Sequence, residues 1–226
     1  MDHSNSNMEF CHPEHSNTNM DHCHPEQDKT LFSHVTTPLS LGEGQGGEAA
    51  IDALTLRIIS FDKGDPMRIQ HLLKVHRFAQ LIGRAEGLDA HTLFVLESTA
   101  VLHDIGIHPA EAKYGSSNGK YQEQEGPAPA RAILESMHYA EADIERICWL
   151  IAHHHTYKHI DAPDYQILVE ADFLVNLYED HISQHGIEAA RKNIFKTQTG
   201  LKLLKMIYEE KYEVKNENHI KGEQPC

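Results

Sequence analysis

The chain has 226 residues, 34 Asp and Glu against 20 Lys and Arg, and a formal net charge of −14. That balance excludes a nucleic-acid polymer or an anionic membrane as the main partner, since both would repel it. No apolar stretch approaches the ~18–20 residues a membrane span needs, and the polar, acidic N-terminus lacks a basic-then-apolar leader, so the cytoplasm is the expected compartment.

Residues 1–50 are expected to form a disordered tail. His, Ser, Asn and Gly dominate it; Cys11-His12-Pro13-Glu14 returns as Cys23-His24-Pro25-Glu26, and His3-Ser4-Asn5 as His15-Ser16-Asn17. Hydrophobic periodicity is absent, so burial cannot offset the entropy of ordering the segment. Cys and His are soft-metal ligands, which makes a metal-scavenging tail one reading. A translated repetitive stretch ahead of the true start is another, and the spacing is not that of a zinc finger. Cys11, Cys23 and Cys226 lie in polar end segments and Cys148 in an apolar run, so no disulfide framework is indicated.

From Ile51 the pattern turns helical, and an all-α domain is expected over 51–215 with a polar tail at 216–226. A first helix is expected at about 52–61. The second spans about 66–86, with Asp65 as N-cap, Pro66 at the first helical position and Gly87 as its stop. A third is expected at about 90–104. Residues 108–122, with Gly115 and Gly119, are expected to be a long loop of the kind that serves as a lid. Further helices are expected at about 124–137, 141–153, 165–179, 183–192 and 197–212. Strand alternation is nowhere convincing.

Polar groups interrupt three of these apolar patterns. The run Leu93–Leu102 closes on His103-Asp104, and Ile105-Gly106-Ile107-His108-Pro109 then stops the helix. A carboxylate in such a place must be paired or bound to an ion; the plainer reading is a pair that hydrogen-bonds loop amides. His71 recurs with Val75, Phe78 and Ile82 on the apolar face of the second helix, and Asp172 sits inside the apolar stretch Ile167–Val175. Two imidazoles and two carboxylates from three helices suit a divalent cation that keeps positions open for water and substrate.

This set resembles the HD superfamily of metal-dependent phosphohydrolases, whose signature is H…HD…D on an all-α fold. His71, His103-Asp104 in a Leu-His-Asp-Ile-Gly setting and Asp172 in Val-Glu-Ala-Asp carry the resemblance, with a separation of 32 positions (103 − 71) between the two histidines. It covers roughly Asp65 to Glu179, about half the chain. The strings Gln124-Glu125-Gly126-Pro127 and Asp172-Phe173-Leu174-Val175-Asn176-Leu177 are similar to a bacterial branch of uncertain function. Many members carry Lys after His-Asp-Ile-Gly; here Ile107 stands there, so no phosphate-contacting Lys is expected at that position.

The resemblance implies an HD-type helical bundle in which His71, His103, Asp104 and Asp172 bind a divalent cation, with Asp104 also catalytic. In binuclear members a His near His153-His154-His155 serves a second metal, and another comes from the preceding helix, where Glu125 stands here. Three successive histidines point about 100° apart, so at most two face one ion. A polar helix terminus is the alternative reading of that cluster. Glu125, His154 and His155 are therefore the candidates for a second metal, and Glu125 is also a candidate general acid or base. Candidate phosphate contacts are Arg68, Lys120, Lys158 and His159, each otherwise a solvated charge; Tyr114 and Tyr157 are candidates for stacking on a ring. One or two ions are expected, with Mn, Fe, Mg, Zn, Co and Ni not distinguished. The expected activity is metal-dependent hydrolysis of a nucleotide or other small phosphate ester. The alternatives are a non-catalytic nucleotide- or metal-binding regulatory module and a di-iron oxygenase on the same fold.

Overall fold

The computed structural model describes residues 46–210, and among these no strand forms. Most of the tail expected at 1–50, and the segment 216–226, lie outside the described residues.

α1 runs Gly46–Phe61 and starts five residues before the domain boundary expected at 51, with Ala50 and Ile51 already buried. α2, Pro66–Ala85, opens as its sequence requires: Asp65 accepts from Arg68 N, and Pro66 takes the first position, where no amide proton is needed. α3, Ala90–Leu102, is capped by Asp89, which accepts from His91 N and Thr92 N; every residue from Val95 to Leu102 is buried. α8, Pro163–Glu179, is as deeply set, with Ile167 through Val175 all buried. α2 packs most heavily on α3 and α8, and α1, α7 (Glu141–Ile151) and α8 also lie against α3. Full burial of each large side chain in this trio, Leu96 and Leu102 among them, is worth about 1.5–3 kcal/mol. The polar residues these helices carry inward are consequently held by a stiff frame.

The stretch expected to be a loop at 108–122 is two short helices, α4 (Ile107–Tyr114) and α5 (Gly119–Glu125). Pro109 falls within the first turn of α4, where its missing donor costs nothing. Gly115, at φ +65°, ends α4 as a left-handed cap, and the Asn118 side chain caps α5 by accepting from Lys120 N. The helix expected at 124–137 breaks at Gly126, leaving α6 at Pro127–Ser136. α9 (Gln184–Asn193) and α10 (Gln198–Leu204) follow, and a π-type turn, Lys205–Glu209, ends the described chain.

Gly106 lets α4 and α5 close on each other. A Cβ there would overlap the Gln122 carbonyl oxygen and stand 2.8 Å from Gly126 N, both backbone atoms that cannot swing away. Gly106→Ala is expected to destabilise the protein by about 3 kcal/mol, the upper range for overpacking, as read from urea unfolding midpoints. A loss below about 0.5 kcal/mol would show that the two helices separate freely.

Candidate metal centre

Four side chains from three elements converge: His71, His103 and Asp104 offer ligand atoms within 4.8 Å of one another, and Asp172 lies against both histidines. His71 comes from the apolar face of α2, His103 and Asp104 from the turn after α3, and Asp172 from mid-α8. His71 Nε2 lies 3.3 Å from His103 Nε2, 3.2 Å from Asp172 Oδ1 and 3.5 Å from Asp104 Oδ2. His103 Nε2 is 3.6 Å from both of those carboxylate oxygens. Donors held ~2.1 Å from one ion stand ~3.0–3.4 Å apart in octahedral or tetrahedral arrangement. The spacing thus fits a shared cation.

The far side of each ring fixes which nitrogen points inward. His71 Nδ1 donates to Glu179 Oε2 at 2.8 Å, and Glu179 also accepts from Lys74. His103 Nδ1 donates to Ala100 O at 2.9 Å, and His154 Nδ1 to Ile151 O at 2.7 Å. Each bond commits the proton to Nδ1 and leaves Nε2 as the inward donor atom, the arrangement typical of metal-ligating histidines. His154 Nε2 is buried with no hydrogen-bond partner, 3.5 Å from Asp104 Oδ1. Such an orphaned atom is costly unless something binds it. Asp104 therefore addresses His71 and His103 with one oxygen and His154 with the other. Asn176 Nδ2 steadies Asp172 from one turn further along, 2.9 Å from Oδ1.

Charge is unbalanced in this space. Burial works against protonation of His71, yet hydrogen bonds to Asp172 and Glu179 carry its pKa to about 10. Burial likewise opposes a charge on His103, but Asp104 and Asp172 raise its pKa. Burial favours the neutral form of both carboxyls; His103, with His154 and His71, holds Asp104 well below its usual range, and His103 with His71 does the same for Asp172. Without an ion the imidazoles keep protons that a cation would displace. The sign follows: because both histidines are raised, binding a divalent cation at pH 7 is expected to release protons, and affinity should climb as pH rises toward 10. Calorimetry in buffers of different ionisation heat reads the proton count; zero protons released at pH 7 would contradict this electrostatic picture.

A second group lies beside the first. Asp104, His154 and His155 also offer ligand atoms within 4.8 Å of one another. The three successive histidines part: His153 donates to Trp149 O and stacks on that indole at 4.2 Å, His154 points inward, and His155 lies against α5. Burial holds the His155 imidazole neutral, at a pKa of about 3.

Other expected residues fall elsewhere. Glu125 joins neither group: its Oε1 accepts from Lys113 Nζ and Tyr114 Oη of α4, each at 2.8 Å. Those bonds hold it ionised, below the usual carboxyl range. Arg68 is spent on Glu111 at 2.9 Å and Asp65 at 3.3 Å. Lys120, Lys158 and His159 are exposed, and Ile107 is buried. Tyr114 stacks on Tyr121 at 4.2 Å, whereas Tyr157 packs edge-on against Phe173 with its hydroxyl 3.5 Å from His155 Nδ1. Sequence reasoning passed over Glu179, Gln122 and Glu123. Glu179 follows Asp172 by seven residues, two turns on the same face, and that spacing was the available signal.

The pattern that defines the HD domain family matches residues 68–206, which spans His71, His103, Asp104 and Asp172. The chain belongs to the HD domain family. A solved structure of a predicted HD superfamily hydrolase from an uncultured Thermotogales bacterium is 25% identical to this HD domain protein, covering 70% of this chain and 83% of its own, with a TM-score of 0.48. No curated protein matches the chain.

Proposed function

We propose that this HD domain protein is a metal-dependent phosphohydrolase acting on a nucleotide or other small phosphate ester. The observation that carries the reading is the convergence of His71, His103, Asp104 and Asp172, with the free oxygen of Asp104 turned to the orphaned His154. A divalent cation held there would supply Lewis acidity toward a phosphoryl oxygen and acidify a water for attack at phosphorus. Imidazoles suit Fe, Zn, Co and Ni, and the carboxylates and water suit Mn and Mg, so the donor set does not choose among them. Two ions are accommodated if His154 and His155 hold a second beside Asp104.

The chain's own groups then divide the work. The Nδ1 bonds to Glu179, Ala100 O and Ile151 O keep three imidazole Nε2 atoms aimed inward before any ligand arrives. Asp104 spans both groups and so is the residue placed to orient water between them. Arg68, three residues before His71, is pre-paired with Asp65 and Glu111; Lys120, on α5, and Lys158, three residues past His155, are exposed cations.

Inorganic phosphate release from nucleoside monophosphates, dinucleoside polyphosphates and aryl phosphates tests the reading. Activity should vanish on chelation, return with one of these cations, and be the same with and without oxygen. Turnover that requires oxygen would assign oxidative chemistry instead, and absence of release across the panel with the site fully metal-loaded would reject hydrolysis.

A further inference from the structure

One face of α5 is devoted to a single side chain. Gly119, Gln122 and Glu123, at spacing i, i+3 and i+4, all close on His155. A Cβ at position 119 would stand 2.7 Å from His155 Cγ and 2.8 Å from Cδ2, so only glycine lets the helix lie against the ring. Glu123 Oε1 accepts from His155 N and from Thr156 Oγ1, each at 3.0 Å, which ties the backbone at that point to α5. The buried Gln122 then meets the ring: its Oε1 is 3.0 Å from His155 Nε2.

The amide's orientation is set from its other side. Gln122 Nε2 donates to Ser117 O at 2.6 Å, and turning the amide over would bring two oxygens to that distance. An amide oxygen only accepts, so His155 Nε2 carries the proton and Nδ1 keeps its lone pair. His71, His103 and His154 are arranged the other way, donating from Nδ1 and presenting Nε2. His155 is the exception: α5 takes its Nε2 proton at 3.0 Å, and the Tyr157 hydroxyl stands off its Nδ1 at 3.5 Å.

We propose that Gln122 is a positioning residue that fixes His155 in its Nε2-protonated form, making Nδ1 the atom His155 offers to a cation shared with Asp104 and His154. This rests on the metal-binding reading above, but its first test does not. In the full chain stripped of metal and labelled with nitrogen-15 at histidine, with His155→Asn used to assign the ring, Nδ1 of His155 should be unprotonated and Nε2 protonated. Gln122→Leu should shift the ratio of the two tautomers about fivefold, the worth of one buried hydrogen bond. A His155 protonated at Nδ1 in the wild type, or a ratio that Gln122→Leu leaves unmoved, overturns the proposal.

Titration with Zn2+ supplies the second readout. The Nδ1 resonance of His155 should move while Nε2 keeps its proton, and Gln122→Leu should weaken that binding step about tenfold, at the low end for loss of a group that orients a ligand. A response at Nε2, or none at His155, removes this residue from the ligand set. If both His155 results hold and no phosphate ester is cleaved, the fault lies with the phosphohydrolase reading and not with the cradle.

Discussion

Asp104→Ala is expected to reduce the bound ion content to under about a tenth of wild type and the rate of phosphate release by about 10³-fold or more. Asp104 is the residue the two groups share: its Oδ2 lies 3.5 Å from His71 Nε2, and its Oδ1 lies 3.5 Å from His154 Nε2. Losing one preorganised charge-stabilising contact costs about 10²–10³ in rate, and this change removes two at once together with the cation they hold. The fold should survive, because Asp104 lies in the turn after α3 rather than within its buried run, and its side chain faces His71, His103 and His154 rather than the apolar core. Elemental analysis and circular dichroism on the same sample decide it. A folded variant with full ion occupancy would refute the metal assignment, whereas a variant with normal ion content and a lost rate would keep the ion and move Asp104 to substrate alone.

The main donors were legible because they break a rule. His71 and Asp172 stand where helical period demands an apolar residue, and His103-Asp104 closes a run that otherwise has no polar purpose. The structure sets all four on buried or half-buried positions around one volume. What escaped was whatever looked ordinary. Asn118 and Gly119 carry loop composition, which predicts part of a lid, yet Asn118 is a cap and Gly119 a point of close approach within a helix. Glu125 drew attention through its place in a similar string, but it ends α5 on the flank turned to α4, and Lys113 and Tyr114 take it up. Gln122, three residues earlier, has the inward position. Such assignments depend on the phase of a seven-residue helix, which hydrophobic period cannot set when few of its residues are apolar.

Two carboxylates two residues apart on α8 should separate stability from metal binding. Glu170 is wholly buried and accepts from Gln166 Nε2 at 2.8 Å, from Lys196 N at 2.6 Å, from Thr197 N at 2.8 Å and from Thr197 Oγ1. It thereby docks the start of α10 on α8. Glu170→Ala leaves those donors without a partner, and orphaning a buried charged network costs about 3–5 kcal/mol, or roughly 10 °C in melting temperature for a chain of this size. Glu170→Gln keeps an acceptor oxygen and should lose less, which preserves a measurable protein if the alanine variant fails to fold. Asp172 accepts one side-chain hydrogen bond along its own helix, from Asn176, and pairs with the two imidazoles. Asp172→Ala should cost about 1–3 kcal/mol in chelator, because the imidazoles it leaves can shed their protons and no buried charge stays unpaired. Added cation separates the two positions. At 100 times its dissociation constant a ligand stabilises the folded state by about 2.7 kcal/mol; wild type and Glu170→Gln should both gain it, and Asp172→Ala should not. If Asp172→Ala rises in melting temperature with cation as the wild type does, Asp172 is no ligand. If Glu170→Gln loses the rise, Glu170 belongs to the metal centre and not to the frame that holds it.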